Sequence, residues 1–186
     1  MIESKKMLLD YLKADLSQFG QAKPNFIDFI LGNEKWFIYQ LKRQLRFVEY
    51  YQNCSTNFLM KFAYLFHYFL YKRLCWKCKC IINPNTCGPG LTIWHLGSFI
   101  YVRKGSCVGR NFTIVAGVVL GQQKHDGKEK IIVGDNCYCG LNACLLGNIV
   151  IGNNVTIGAN SVVTKNVPDN ATIVGANKIL RIEHDK

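Results

Sequence analysis

From Val133 to Val163 the hydrophobic pattern repeats every six residues: Val133, Cys139, Leu145, Ile151, Ile157 and Val163 recur in one frame. Gly134, Gly140, Gly152 and Gly158 stand directly after four of them. Four residues beyond each apolar position comes Cys137, Ala143, Ile149, Val155, Ser161 or Val167, all small or aliphatic. A hexapeptide period predicts a parallel β-helix, in which short strands stack coil on coil and no single repeat buries its own core. Glycine after the apolar residue is expected at tight corners of positive φ. The frame extends upstream through Leu96, Val102, Val108, Ile114 and Leu120. It then slips by seven residues before Val133, which predicts a loop extruded over residues 122–131.

The chain before about Cys80 has a different period. Trp36 to Tyr51 has no Gly or Pro and carries apolar and basic residues at helical spacing, with Asn33 placed to cap its start. Thr56 to Trp76 reads as a second helix, rich in Phe and Tyr. Lys61, His67, Lys72 and Arg73 interrupt it, so it is too polar for the ~20 apolar residues of a membrane span. It is expected either to pack against the coil base or a neighbouring subunit, or to rest on an anionic membrane as part of residues 36–80. Asn83-Pro84-Asn85 and Gly88-Pro89-Gly90 mark turns into the coil. The organisation expected is a helical region over 1–80, a β-helix over 81–182 whose end from Ala171 is a tail-like segment, and a short terminus over 183–186.

The chain of 186 residues carries a formal charge of +11. Residues 1–80 hold 13 Lys/Arg against 6 Asp/Glu, giving +7, and the rest holds 10 against 6, giving +4. That balance favours anionic partners. The basic residues form no nucleic-acid module, so no nucleic-acid partner is expected. The N-terminus has no secretory pattern, and nine cysteines then read as reduced thiols of a cytoplasmic protein, with the inner face of the membrane as the expected place of any attachment. Cys107, Cys137, Cys139 and Cys144 fall inside the repeat and are expected to be buried. Cys75, Cys78 and Cys80 lack a clear fourth ligand, so no metal is expected.

GPGLTIWHLGS (Gly88 to Ser98), the loop after VVLGQQ, LLGNIVIGNNVTIGANSVVTKNVPDN (Leu145 to Asn170) and VGANKI (Val174 to Ile179) resemble the hexapeptide-repeat acyltransferases. The nearest subgroup is the serine-acetyltransferase-like proteins, including those of bacterial capsule and O-antigen clusters, whose N-terminal region QLRFVEYYQN (Gln44 to Asn53) also resembles. The resemblance implies a fold that is mainly β, a left-handed parallel β-helix preceded by an α-helical region. It also implies a homotrimer with active sites between subunits and acetyl-coenzyme A as acyl donor.

Acyl transfer from a thioester to a hydroxyl needs a base for the hydroxyl proton, and histidine suits that task near neutral pH. By its motif, His95 matches the family's catalytic histidine. By position, Gly121, Gln122, Gly140, Leu141, Gly158 and Ala159 match cofactor contacts, with Lys165 and Lys178 placed for nucleotide phosphates. Gly121 and Gly140 are also candidates for backbone donors to the oxyanion. The departures bear on the acceptor. Serine acetyltransferases carry Asp before the catalytic histidine, and Trp94 stands here. Their second acid is matched by the apolar Ile81 and Ile82, which leaves the orienting partner of His95 unassigned. Their Arg-His pair after the loop is matched by Glu129 and Lys130. The expected acceptor is therefore a sugar hydroxyl of a surface polysaccharide or glycan, touching Trp94, Lys130 and, from the loop, His125 and Asp126. Serine O-acetylation and a non-catalytic scaffold are the alternatives; an amine acceptor would need the same base.

Overall fold

The computed structural model describes residues 1–20, 23–124 and 129–182; His125, Asp126 and the 183–186 terminus lie outside the described residues. Among the described residues four α-helices come first: α1 (Lys5–Asp15), α2 (Phe26–Ile30), α3 (Glu34–Cys54) and α4 (Phe58–Cys78). Asn33 caps α3, accepting the Lys35 N–H at 3.1 Å, and Asn57 caps α4, accepting the Met60 N–H at 2.9 Å. Ile38, Leu41, Leu45 and Val48 recur at helical spacing and form the buried face of α3. The long pair α3 and α4 pack on each other, and Lys79 in the left-handed region ends α4.

The coil begins at once with β1 (Cys80–Ile82). It continues through β2 (Thr92–Trp94), β3 (Ile100–Val102), β4 (Cys107–Val108), β5 (Thr113–Val115), β6 (Val119–Gly121) and β7 (Ile131–Val133). Then follow β8 (Tyr138–Cys139), β9 (Cys144–Leu146), β10 (Ile149–Ile151), β11 (Thr156–Ile157), β12 (Val162–Val163), β13 (Ala171–Val174) and β14 (Lys178–Ile182). These strands stack into three faces of a β-solenoid: β1-β3-β6-β9-β12, β4-β7-β10 and β2-β5-β8-β11-β13. Every pairing is parallel except β13 with β14, an antiparallel hairpin that closes the third face. The segment from Ala171 is therefore a further rung, because Thr172 and Ile173 pair with Thr156 and Ile157.

The six-residue frame holds from Val102 onward: Val102, Val108, Ile114, Leu120, Val133, Cys139, Leu145, Ile151, Ile157 and Val163 are all buried in one core. Leu96 departs from it and is only partly buried. The inward residue of that rung is Ile93, paired with Ile114. Cys107 departs too. It is exposed, because it precedes the inward Val108 on a strand whose alternate residues face out; Cys144 is half-buried, and Cys137 and Cys139 are buried.

The glycines serve another purpose than the one expected of them. Positive φ falls on none of Gly134, Gly140, Gly152 and Gly158; it falls on other glycines, such as Gly105, Gly117 and Gly147, and on asparagines, among them Asn111, Asn136, Asn142, Asn154 and Asn160, whose short polar side chains tolerate that region. Their side chains stack as ladders. Asn111, Asn136, Asn154 and Asn170 link at 2.9, 3.2 and 2.9 Å, and Asn142 donates to Asn160 at 3.3 Å. The glycine after the apolar residue is instead a point of close approach between coils. A Cβ on Gly134 would sit 2.7 Å from the Gly152 carbonyl carbon, and one on Gly140 2.8 Å from the Ala159 nitrogen.

A buried polar joint fastens the helices to the first coil. Arg46 pairs with Asp15 at 2.8 Å and Glu49 at 2.9 Å, and donates to the carbonyls of Cys87 (2.9 Å) and Gly88 (2.7 Å). Asp15 accepts the N–H groups of Gly90 and Leu91 at 2.9 and 3.0 Å. Lys42 Nζ donates to the Asp15 carbonyl, Gln18 Oε1 and the Leu91 carbonyl. Gln18 in turn bonds both backbone groups of Ile93 with its amide, so a side chain completes the open edge of β2.

Candidate active site

The corner after β2 is longer than those stacked on it. Nine positions separate Ile93 from Val102, against six from Ile114 to Leu120, the residues paired with them on the next coil. In this enlarged corner His95 adopts φ +62 and Gly97 φ +120, and His95 stands clear of the coil. Its imidazole has a carboxylate partner. Glu34 Oε1 lies 3.0 Å from His95 Nδ1, and Glu34 Oε2 accepts the Leu96 N–H at 3.1 Å. Glu34 is the first residue of α3, where the helix dipole favours a negative charge. The two ends of one carboxylate thus fix both the ring and the backbone beside it. With Nδ1 engaged, Nε2 is the nitrogen left to face an acceptor.

The side chain of His95 remains 66% exposed and that of Glu34 41%, so the site is open on one side. Trp94 borders it, half-exposed, with its ring centroid 6.3 Å from that of His95. A cleft of about 170 Å³ runs from His95 and Trp94 to Glu34, Lys35, Gln18 and Phe19. Lys35 is exposed there and is a cation that the motif reading missed, because only the fold brings the start of α3 to this corner. The same holds for Glu34: the acid that orients His95 comes from the helical region, not from the coil near Ile81 and Ile82.

The expected cofactor residues fall into two columns. Continuing the register of β5, β8 and β11, Leu141 and Ala159 stack in line with Ala116 and His95, and Gly140 and Gly158 in line with Trp94. Lys178 pairs with Val174 at the top of that corner. Gly121 and Gln122 lie at the other end of the β3-β6-β9-β12 face, where Lys165 also emerges just past β12. The strands between these corners are three residues long, so the columns stand about 10 Å apart on one chain. Gly140 is removed from the oxyanion candidates, since its N–H donates to the Ile157 carbonyl at 2.8 Å. Gln122 Oε1 accepts from Arg103 at 2.9 Å, and Arg103 also donates to the Glu129 carbonyl, so this arginine holds the two stems of the loop together. Lys130 is exposed on the second stem, its N–H donating to Asn148 at 3.2 Å, and no described contact joins it to His95.

The cysteines near the joint behave as core. Cys75, Cys78 and Cys80 are buried where α4 meets β1, and burial pushes the Cys75 and Cys78 thiols up to about 11. Among the described residues no group of three His, Cys, Asp or Glu converges as a metal site. No described helix is long and apolar enough to cross a membrane.

No model of a known protein family matches the chain. A serine acetyltransferase of Staphylococcus aureus is 44% identical over 96 residues, covering 50% of this chain and 45% of the relative. One from Staphylococcus epidermidis is 43% identical over the same length and shares. The chain thus spans about half the length of the curated relatives it matches. Among solved structures, Neisseria gonorrhoeae serine acetyltransferase aligns over 98% of this chain and 70% of its own, at 26% identity and TM-score 0.70. Its complex with serine aligns over 96% and 71%, at 28% identity and TM-score 0.68. The coenzyme A complex of Brucella abortus serine acetyltransferase, at 24% identity, covers 98% and 71% with TM-score 0.72 and speaks to fold alone. In sequence over half its length, and in fold over nearly all of it, this chain resembles the hexapeptide-repeat acyltransferases and, among them, the serine acetyltransferases.

Proposed function

We propose that the protein is an acetyl-coenzyme A-dependent O-acetyltransferase of the serine acetyltransferase type. The observation that carries this reading is the His95–Glu34 pair at 3.0 Å on the open corner of the coil. His95 Nε2 takes the proton from the acceptor hydroxyl as its oxygen attacks the thioester carbonyl. The C–S bond then breaks, and the proton passes from the imidazolium to the leaving sulfur. Glu34 holds the ring and stabilises its charged form between the two proton transfers. A thioester is already activated, so direct transfer needs no protein nucleophile.

Acetyl-coenzyme A would lie along the glycine-lined corners, with Gly140, Leu141, Gly158 and Ala159 on one side and Gly121 and Gln122 on the other. Lys165 and Lys178 would meet its phosphates. Two columns about 10 Å apart on one chain suit a groove between neighbouring copies, and the exposed flank of His95 calls for cover from such a neighbour. A homotrimer is therefore part of this reading.

For the acceptor, the relatives' name points to serine, and Lys35 beside Glu34 offers a cation for its carboxylate. A sugar hydroxyl, as in surface polysaccharide synthesis, is the second reading. It rests on Trp94, whose exposed ring beside His95 provides a stacking surface for a pyranose. The test is coenzyme A release from acetyl-coenzyme A with L-serine and with a sugar panel, for wild type and His95→Ala. Turnover on either acceptor that the variant loses supports the reading. Equal turnover in both removes His95 as the base. Failure of the wild type to bind acetyl-coenzyme A leaves a scaffold.

A further inference from the structure

Helix α4 carries a surface that neither the coil nor the His95 site uses. Phe58, Phe62, Leu65, Phe69 and Trp76 recur at spacings of three, four and seven, so at about 100° per residue they form one stripe. With Leu59 and Phe66 beside them, their exposure runs from 54% to 86%. The helix buries only Tyr71, Cys75 and Cys78. An apolar strip of this extent on a protein surface marks a place of contact.

Its margins are cationic. By the same helical spacing Lys61 and Lys72 border one side and Arg73 and Lys77 the other, and all four are exposed. The helix has no Asp or Glu, so its four cations are unopposed within it. Lys72 and Arg73 lie over the Tyr68 and Phe69 rings at 5.4 and 5.7 Å, heads alongside the aromatic edge. At the same end Phe29 of α2 and Trp36 share a groove with Leu70, Arg73 and Lys77, and Phe26, Ile27 and Ile30 of that short helix are also exposed.

We propose that α4 docks the protein on an anionic membrane surface. The Phe/Leu/Trp stripe enters the headgroup region and Lys61, Lys72, Arg73 and Lys77 meet lipid phosphates. Charge decides against two copies pairing through this stripe: stripe against stripe would bring the same four cations together, with no acid on either helix to offset them. The attachment is superficial, since no described helix can cross the bilayer. The proposal stands apart from the acyl-transfer reading and does not depend on it.

The test is flotation of the full chain with vesicles of phosphatidylcholine alone and with 30 mol% phosphatidylglycerol, in low and high salt. Binding to the anionic vesicles is expected, weakened by salt. A neutralised variant, Lys61→Gln/Lys72→Gln/Arg73→Gln, should bind at least about tenfold more weakly, since each cation near such a surface contributes roughly fivefold. Phe62→Ser/Leu65→Ser/Phe69→Ser should also lose binding while keeping the circular dichroism of the coil. No binding to anionic vesicles overturns the proposal. Equal binding to neutral vesicles overturns its electrostatic part. A smaller assembly for the serine variant by analytical ultracentrifugation, with wild type failing to float, assigns the stripe to a second copy instead. The neutralised variant, altered only at exposed positions, keeps the test decisive if the serine variant does not fold.

Discussion

Glu34 Oε1 and His95 Nδ1 meet at 3.0 Å across 61 positions of sequence, joining the first turn of α3 to the corner after β2. The same carboxylate accepts the Leu96 N–H, so ring and backbone are held together. Glu34→Gln keeps the shape and removes the charge that favours the imidazolium. It is expected to lower kcat by about ten- to a hundredfold with little change in the KM of acetyl-coenzyme A. His95→Ala should cost more, on the order of 10²–10⁴. Steady-state coenzyme A release checks both, and a Glu34→Gln enzyme with unaltered kcat removes Glu34 from the mechanism.

Trp94 and Lys35 border the same cleft with opposite chemistry, which makes them a discriminating pair. If the acceptor is serine, Lys35→Ala should raise its KM about tenfold, roughly the strength of one charge-assisted contact, while Trp94→Ala has little effect. If it is a sugar, the order reverses, since loss of a stacking face weakens the pyranose and not the amino acid. Initial rates against acceptor concentration, at saturating acetyl-coenzyme A, separate the two.

The close stacking of coils at Gly134 predicts a large cost for one methyl group. A Cβ there would meet the Gly152 carbonyl carbon at 2.7 Å and Asn153 Oδ1 at 2.5 Å, so the coils must separate. Gly134→Ala should destabilise by about 2–4 kcal/mol in urea unfolding. At the ladder position Asn154, with φ +55, Asn154→Gly should cost less than Asn154→Ala, which keeps a Cβ in the left-handed region and loses the ladder bonds.

These contrasts show what the sequence could reveal. The solenoid was legible from Val102 onward because the inward positions of each hexapeptide repeat with the coil itself. It was not legible at Leu96, where the enlarged corner breaks the period; that break is what sets His95 outward. The glycine pattern was visible but its cause was not: its spacing is the same whether the residue is needed for φ or for close approach. His95 and Trp94 were found by motif, whereas Glu34 and Lys35 were not. Their only signal was a capped helix start with an acid in its first turn, and nothing in one sequence ties that turn to a corner sixty residues away. Likewise the Gln18–Ile93 contact, which completes the edge of β2 two residues before His95, exists only in the folded chain.

Arg46 is fully buried between Asp15 and Glu49, so its removal leaves two buried carboxylates without the guanidinium they pair with. Arg46→Met is expected to cost about 3–5 kcal/mol. Replacing all three, as Asp15→Asn/Arg46→Met/Glu49→Gln, should cost less than the single change, because the uncompensated charges go with it. Chemical unfolding of both variants gives the comparison. A triple variant less stable than Arg46→Met refutes the electrostatic account of this joint.

Buried thiols and a buried lysine set opposite pH responses. In the folded chain burial pushes Cys75 and Cys78 up to about 11 and Cys87 to about 12, from an ordinary value of 9.0, and raises Cys80 well above it. Above about pH 9 the unfolded chain releases these protons and the folded one does not, so the folded state binds more protons and stability falls as pH rises. Lys42 runs the other way. Burial, partly offset by Asp15, lowers its ammonium from 10.5 to about 8, so between those values the unfolded chain holds the extra proton and stability rises with pH. From pH 8 to 9 the two effects oppose each other, because thiols of ordinary value 9.0 already begin to ionise in the unfolded chain, and above 9 the several thiols outweigh Lys42. The melting temperature under reducing conditions should therefore stay level or fall slightly from pH 8 to 9 and fall steeply from 9 to 11. A Cys78→Ala variant should fall less steeply over the upper range, and a wild-type profile flat to pH 11 would mean that these thiols are not held neutral by the fold.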